Sequence, residues 1–225
     1  NMDFSSERDA ARKLRASMGV SSLVTALFAN SPWAEGKATG LLSTRAHAWL
    51  DTDNARAGLL PFVFDAHVTE GNGLFRGYVE WALDVPMFFV YRDGTYHSLV
   101  GKKFSFRQYM AEGLGEFRAT LDDWVVHLST LFPDVRVKRY LEVRSADSVP
   151  MRLAPAFAAL WKGLLYDEGS TSACIELTAT WSFEDRVRAR TEVPARGLAV
   201  RVGKRTFAEL ARELVAMARA GLPDG

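Results

Sequence analysis

The chain has 225 residues, with 28 Lys and Arg against 27 Asp and Glu and a formal net charge of +1. This balance argues against a nucleic-acid partner or an anionic membrane surface, since either would favour a basic patch or stripe. The one cysteine, Cys174, excludes an intrachain disulfide and a multi-cysteine zinc site and is typical of a reducing compartment. The longest apolar run, residues 153–161, is about half of the roughly 20 residues that a membrane span requires. We therefore expect a cytoplasmic globular protein without a membrane partner.

The first predicted element is a helix near the start of the chain. Ser5 or Ser6 is a suitable N-cap, and Leu14 and Met18 lie on one apolar stripe of the helix that would follow. Because the sequence opens at Asn1 without an initiator methionine, we expect it to be the later part of a longer protein.

The middle of the chain contains the strand signals. Residues 66–76 contain glycines and are expected to form an exposed loop. Residues 87–91 are rich in β-forming side chains, and the Asp93-Gly94 pair that follows predicts a β-hairpin completed by residues 95–97.

Helix signals dominate the second half. Capping boxes are expected at Ser105–Gln108 and Thr120–Asp123. The second of these helices is expected to bury Trp124, Leu128 and Leu131. Further helices are expected over residues 153–166, over residues 171–181, from Ser182 to just before Pro194, and from Thr206 to a stop at Gly221. We predict an α+β fold with an antiparallel sheet backed by helices and a helical C-terminal end, forming a single unit over residues 1–225.

Several common catalytic motifs are absent from the sequence. It contains no phosphate-binding G-x-x-x-x-G-K-[ST] loop, no dinucleotide fingerprint, no G-x-S-x-G elbow and no pair of histidines at metal-binding spacing. Cys174 lies among apolar residues of a predicted helix, and we interpret it as a buried structural thiol rather than a nucleophile.

Residues 135–144 alternate between two sets of side chains and predict one continuous strand. Since residues two apart share a face, one face would carry the following side chains: Arg136, Lys138, Tyr140, Glu142 and Arg144. Carboxylate oxygen is a ligand that Mg²⁺ prefers, and the guanidinium fork suits phosphate oxygens. The Glu142–Arg144 pair therefore predicts a metal-phosphate site. The alternative is an ordinary solvated sheet face with a cross-strand ion pair.

A second candidate region contains Arg45 and Arg56 among small and turn-forming residues. Two arginines in this setting could hold the carboxylate of an anionic substrate. The alternative is a surface loop with ordinary ion pairs.

Several ungapped stretches, taken together, resemble glutamate–cysteine ligase of the type shared by plants and many proteobacteria. The stretches that carry the resemblance are residues 25–37, 49–53, 60–65, 82–87, 138–147, 161–167 and 178–181. The match as a whole spans residue 2 to about residue 222.

The resemblance implies the C-terminal portion of a glutamine-synthetase-like catalytic fold. It also implies a reaction with ATP as co-substrate and Mg²⁺ as cofactor. The γ-carboxylate of L-glutamate would be phosphorylated and then joined to the amine of L-cysteine, which is the first step of glutathione synthesis. The implied partners are these small molecules, and the oligomeric state stays open.

The resemblance also implies roles for individual residues. Glu142 would be a magnesium ligand and Arg144 would contact the transferred phosphate, so both would be catalytic. Arg45 and Arg56 are candidates for binding the carboxylate or phosphate groups of substrate, with Trp49 as a wall. Three further candidates for substrate binding are Tyr140, Lys138 and Met87.

Three departures from the family pattern matter. Ala57 stands where the family often has threonine, and the lone cysteine excludes a disulfide switch of the plant kind within this chain. The family's other metal-binding glutamates lie on strands before Asn1, so we expect the isolated chain to be inactive. Two alternatives stay open: a related carboxylate–amine ligase with another acceptor amine, and a non-catalytic amino-acid-binding domain of the same fold.

Overall fold

Helices form most of the regular structure in a computed structural model that describes residues 1–65, 68 and 73–223. Their bounds are α1 Glu7–Gly19, α2 Ser21–Leu27, α3 Thr44–Leu50, α4 Leu74–Asp84, α5 Phe106–Glu112, α6 Leu121–Ser129, α7 Ala154–Leu165, α8 Glu168–Leu177, α9 Phe183–Arg196 and α10 Phe207–Ala220. Among the residues that the structure describes, no helix is long and apolar enough to cross a membrane.

The strands pair as short two-stranded ladders. Their bounds are β1 Trp33–Ala34, β2 Lys37–Ala38, β3 Ala57–Gly58, β4 Phe89–Arg92, β5 Thr95–Ser98, β6 Phe132–Pro133, β7 Val135–Val137, β8 Leu141–Val143, β9 Arg201–Val202 and β10 Arg205–Thr206. The pairs β1–β2, β4–β5, β7–β8 and β9–β10 are antiparallel, whereas β3 and β6 pair in parallel. The predicted α+β class is confirmed. In the described residues the strands form separate ladders, one of them parallel, instead of the single antiparallel sheet that we expected.

The predicted first helix is confirmed as α1, and it packs in the main core. Ser6 caps this helix by accepting a hydrogen bond from the backbone N–H of Asp9, and Leu14 and Met18 are buried. Helices α2, α7, α8, α9 and α10 contribute to the same apolar cluster. Cys174 on α8 is fully buried in it, and burial raises the pKa of its thiol to about 12. The interpretation of Cys174 as a structural thiol fits this placement.

The predicted hairpin is confirmed, with Tyr91 opposite Tyr96. Asp93 and Gly94 both have positive φ, +49° and +79°, which is the backbone geometry that a two-residue hairpin turn favours. The inner side of the hairpin packs on a second cluster that includes Met87. Of the predicted loop 66–76, residues 66, 67 and 69–72 lie outside the described residues, and α4 begins at Leu74.

The prediction of one strand over residues 135–144 is wrong. The chain reverses between β7 and β8, so that Arg136 lies opposite Glu142 and Val135 opposite Val143. These charged and apolar pairs face each other across the two strands and stabilise the hairpin. The other face of the predicted strand would carry valines, Leu141 and a single charge, Arg139. In the structure Arg139 lies exposed in the turn.

Two predicted helix ends are also corrected. Helix α8 begins before residue 171, because Asp167 caps it by accepting a hydrogen bond from the N–H of Ser170 at 2.7 Å. Helix α9 continues through Pro194, which removes only one N–H close to the C-terminus of the helix. The free carbonyl of Pro194 accepts hydrogen bonds from the backbone N–H groups of Leu42 and Ser43.

The two predicted capping boxes, at Ser105 and Thr120, are confirmed. Capping boxes also begin the helices predicted to start at Ser182 and Thr206, and Gly221 is the C-cap of α10. The predicted apolar stripe of α6 is only partly correct. Trp124 and Leu128 are half-buried and Leu131 lies beyond the end of the helix, whereas the buried residues within α6 are Asp123 and His127.

We predict that Gly163→Ala strongly destabilises the protein. A Cβ atom at residue 163 would lie 1.8 Å from the carbonyl oxygen of Ala218, on the backbone of the helix that crosses α7. Because backbone cannot move aside as a side chain can, the free energy of unfolding should fall by about 3 kcal/mol. Denaturant unfolding followed by circular dichroism measures this change.

The matched control is Gly169→Ala in α8, where a Cβ would meet only a side-chain oxygen of Asp167, at 3.3 Å. We expect a change within about 1 kcal/mol there, since alanine also favours the helix. Equal effects of the two substitutions would contradict the close crossing of α7 and α10.

Candidate anion-binding site

A pocket of about 480 Å³, including its open mouth, lies where five segments meet. The segments are α2, α3, the residues from β6 to Asp134, the residues just after β8, and α9. The lining residues are Ser22, Thr25, Arg45, Ala46, Trp49, Phe132, Pro133, Asp134, Arg144, Ser145, Arg190 and Val193. The structure thus brings Arg45, Trp49 and Arg144 together, three of the residues that the sequence singles out.

The carboxylate of Asp147 fixes two of these segments to each other. One oxygen accepts hydrogen bonds from the backbone N–H of Asn30 and the hydroxyl of Ser31, each at 2.7 Å. The other accepts from the hydroxyl of Ser43, the N-cap of α3, at 2.8 Å. Asp147 is buried, and this anchoring places the start of α3 beside the residues that follow β8.

Arg45 lies in the first turn of α3 and is half-buried. Its Nη2 donates a hydrogen bond to the carbonyl oxygen of Arg144 at 2.8 Å. Burial lowers the pKa of the Arg45 guanidinium below its usual value, and the negative charge of Asp147 opposes that shift. An arginine keeps its charge under such conditions, so Arg45 presents a positive group to the pocket.

Glu142 holds Arg144 in place. Arg144 Nη1 lies 2.7 Å from one carboxylate oxygen, and Arg136 Nη2 and Lys138 Nζ lie 2.7 Å and 3.3 Å from the other. Burial alone would raise the pKa of Glu142, but the hydrogen bonds from Arg136 and Arg144 lower it to about 2. The carboxylate is therefore ionised at neutral pH and paired with three cations.

Two aromatic rings lie close to the guanidinium group of Arg144. Its guanidinium carbon lies 5.3 Å from the ring centroid of Trp49 and 5.4 Å from that of Phe132. Cation–π contacts of this kind orient a guanidinium plane without using its N–H groups. Arg144 therefore keeps N–H donors that the rings do not use. Trp49 lines the pocket, and its assignment to substrate binding remains a prediction.

Arg190 is a third cation of the pocket, which the sequence reading missed. Its Nε lies 3.4 Å from Asp134, and its guanidinium carbon lies 3.3 Å from the position that a Cβ on Gly58 would take. The signal in the sequence is helical spacing, because Arg190 lies three and four residues before the buried residues Val193 and Pro194 of α9. Because we predicted that this helix ends just before Pro194, the packing of this part of α9 against the core was not expected.

The other predicted site residues lie outside the pocket. Lys138 and Tyr140 belong to the turn between β7 and β8, where Lys138 is exposed and contacts Glu142. Met87 is buried in the cluster under the β4–β5 hairpin. Its assignment, and those of Lys138 and Tyr140, to substrate binding remain predictions.

Arg56 is buried away from the pocket, and protein atoms occupy its donors. It pairs with Asp53 at 2.8 Å, donates to the hydroxyl of Thr130 at 2.9 Å and to the carbonyl of Pro86, and stacks 3.4 Å from the ring centroid of Phe88. These contacts give Arg56 a structural role, and its assignment to substrate binding remains a prediction.

The residues present do not by themselves fit a magnesium site. Within residues 1–65, 68 and 73–223, no group of three or more His, Cys, Asp or Glu side chains is placed to hold a metal ion. Both oxygens of Glu142 are paired with guanidinium groups, so a metal ion would have to displace Arg136 or Arg144. Glu142 as a magnesium ligand remains a prediction, and the observed contacts give it the role of anchoring Arg144.

Fold and pocket together define an α+β protein with a pocket lined by three arginines. The chain belongs to Glutamate-cysteine ligase family 2 (GCS2), whose family model matches residues 1–222. This membership agrees with the resemblance that the sequence shows.

Curated relatives are similar along nearly the whole chain. It is 48% identical to the chloroplastic glutamate–cysteine ligase of Solanum lycopersicum over 99% of its own length, which is 42% of that protein. The corresponding enzyme of Arabidopsis thaliana is 46% identical over the same shares, and glutamate–cysteine ligase B of Oryza sativa subsp. japonica is 47% identical over 99% of this chain and 44% of that protein. The chain thus spans less than half of the length of these relatives.

The lowered pKa of Glu142 predicts a pH-dependent contribution to stability. A carboxyl group whose pKa falls from 4.5 to about 2 on folding stabilises the protein above pH 4.5, and this contribution disappears as the pH falls toward 2. Glu142→Gln should therefore lower the free energy of unfolding near pH 6, by on the order of 2 kcal/mol after allowance for solvent screening. Urea unfolding at a series of pH values measures the difference.

The difference between Glu142→Gln and the unmodified protein should shrink between pH 4.5 and pH 2. Glu112→Gln, at an exposed position near the end of α5, is the control and should change little at any pH. A difference for Glu142 that stays constant with pH would contradict the ion-pair network.

Proposed function

We propose that the full-length protein carrying this chain ligates L-glutamate to L-cysteine at the expense of ATP, the first step of glutathione synthesis. Membership of Glutamate-cysteine ligase family 2 supports the proposal. The single structural observation that supports the proposal is that Arg45, Arg144 and Arg190 line one pocket. Glu142 pairs with Arg144, and Asp134 pairs with Arg190.

The proposed reaction has two steps. The γ-carboxylate of L-glutamate attacks the γ-phosphorus of ATP, ADP leaves, and γ-glutamyl phosphate forms. The amine of L-cysteine then attacks the acyl carbon, phosphate leaves, and a proton is released as the amide forms. Transfer of a phosphoryl group requires alignment and neutralisation of charge more than covalent help from the protein.

The pocket suits these requirements. Arg144 is held by Glu142 and oriented by two aromatic rings, so its remaining N–H groups are fixed before a ligand arrives. Arg45 is fixed by α3 and by the carbonyl of Arg144. Preorganised donors of this kind stabilise developing negative charge because they need not reorient during the reaction. We assign both arginines to the anionic oxygens of the phosphoryl group or of the substrate carboxylate.

ATP as co-substrate and Mg²⁺ as cofactor are part of this proposal. Magnesium supplies charge neutralisation on phosphate oxygens when it is bound. Because the two carboxylates nearest the arginines, Glu142 and Asp134, are both paired with arginine side chains, no step is assigned to the metal on this chain. Inactivity of the isolated chain fits the same observation and remains a prediction.

Fold family, location and chain organisation are also proposals. We propose that the α+β fold is the C-terminal portion of a glutamine-synthetase-like catalytic domain and that residues 1–225 act as one unit. The names of the plant relatives place those proteins in the chloroplast. We propose a cytoplasmic location for this protein, on the ground of its single thiol.

We predict that Arg144→Gln in the full-length protein lowers kcat/KM for glutamate-, cysteine- and ATP-dependent ADP release. Loss of one preorganised donor to developing charge should reduce this value by about 100-fold. The control is Arg107→Gln, which removes a half-exposed surface ion pair with Glu80 and Asp84 and should change the rate little. An unchanged rate in Arg144→Gln would remove that residue from the reaction.

The acceptor is tested with a panel of amines in place of L-cysteine. Turnover with L-cysteine far above that with non-thiol amines supports the ligase proposed here. Equal turnover with several non-thiol amines would instead assign the protein to a related carboxylate–amine ligase. Absence of ATP-dependent turnover with every amine, with L-glutamate still bound, would favour a binding domain.

A further inference from the structure

Two buried side-chain polar atoms in the described part of the chain lack a hydrogen-bond partner, Ser145 Oγ and Trp161 Nε1. The indole of Trp161 lies in the apolar core beside Phe157, whose ring centroid is 6.3 Å away. Ser145 is different, because it lines the arginine pocket while being only 5% exposed. A buried hydroxyl is normally hydrogen-bonded, so an unpaired one that lines a pocket points to a partner that enters from outside.

The backbone around Ser145 is fixed on both sides. The N–H of Arg144 donates to the carbonyl of Asp134 at 3.2 Å, and the carbonyl of Arg144 accepts from Arg45 at 2.8 Å. The N–H of Asp147 donates to the carbonyl of Phe28 at 3.4 Å. Ser145 is therefore held at the pocket wall, and its hydroxyl has a donor that no protein group uses.

The charges of the pocket favour a doubly negative ligand. Three arginines and one aspartate, Asp134, line it, which leaves a surplus of two positive charges. Arg45 lies on α3, Arg144 after β8 and Arg190 on α9, so the cations come from three separate segments. Donors that approach from several directions suit a tetrahedral phosphoryl group better than a planar carboxylate, which one guanidinium fork can satisfy.

We propose that Ser145 is a ligand-contacting residue whose hydroxyl donates a hydrogen bond to an oxygen of a phosphoryl group held by Arg45, Arg144 and Arg190. This inference deepens the proposed function and rests on it for the source of the phosphoryl group, ATP or an acyl phosphate. Ser145 lines the pocket that the three arginines line, so its hydroxyl would add a fourth donor to a phosphoryl group bound there.

The test compares Ser145→Ala with Ser148→Ala in the full-length protein. Ser148 lies three residues further along, is exposed, and does not line the pocket. Titration calorimetry with inorganic phosphate, with ADP and separately with L-glutamate measures binding, and the melting temperature reports on folding. We expect Ser145→Ala to weaken phosphate binding by about tenfold, the effect of one hydrogen bond to a charged group, and to leave glutamate binding unchanged.

The melting temperature separates a ligand role from a structural one. Removal of an unpaired buried hydroxyl should leave the melting temperature of Ser145→Ala unchanged or raise it, since no protein contact is lost. Unchanged phosphate affinity in Ser145→Ala, with or without a lower melting temperature, would overturn the inference. Weakened glutamate binding with normal phosphate binding would also overturn it, by assigning the hydroxyl to a carboxylate.

The outcome is separable from that of the proposed function. Ser145-dependent phosphate binding by a protein that does not ligate glutamate to cysteine would support the phosphate site and contradict the ligase proposal. Normal ligation and normal phosphate binding in Ser145→Ala would leave the ligase proposal in place and remove Ser145 from the site.

Discussion

The site depends on one buried carboxylate, that of Asp147. Its two oxygens accept hydrogen bonds from Asn30, Ser31 and Ser43, which lie more than 100 positions away along the chain. Together with the hydrogen bond from Arg45 to the carbonyl of Arg144, these bonds fix the turn before β1 and the N-terminus of α3 relative to the residues that follow β8. A buried carboxylate is tolerated only when donors of this kind surround it, so the burial of Asp147 depends on these three hydrogen bonds. The consequence is that Arg45 and Arg144 come to the same pocket.

A second set of carboxylates allows the arginines to lie close together. Glu142 neutralises part of the charge of Arg144, and Asp134 does the same for Arg190. Each carboxylate leaves part of the guanidinium fork toward the pocket, so the cations are stabilised without being saturated. The aromatic faces of Trp49 and Phe132 limit the orientations of Arg144 in the same way. The ion pairs with Glu142 and Asp134 therefore fix the arginines of the pocket in place before an anion binds.

Local rules predicted much of the fold but only part of the site. The turn at residues 93–94 and the capping boxes depend on side chains within a few residues of each other, and the structure confirms them. The reversal within residues 135–144 could not be read from alternation, because a hairpin with a short turn keeps the same two sets of side chains on the same faces. Tertiary packing brings Arg190 and Ser145 to the site, and no local sequence pattern predicts that packing. Glu142 and Arg144 contact each other, and their assignment to a metal ion and a phosphate remains a prediction.

A crystal structure of the full-length protein with saturating inorganic phosphate would test the central claim most directly. We predict a phosphate ion between Arg45, Arg144 and Arg190, with one oxygen within about 3 Å of Ser145 Oγ, the usual distance of a hydroxyl hydrogen bond. Phosphate bound elsewhere, with only water in this pocket, would contradict the assignment of the three arginines and Ser145 to an anion-binding site.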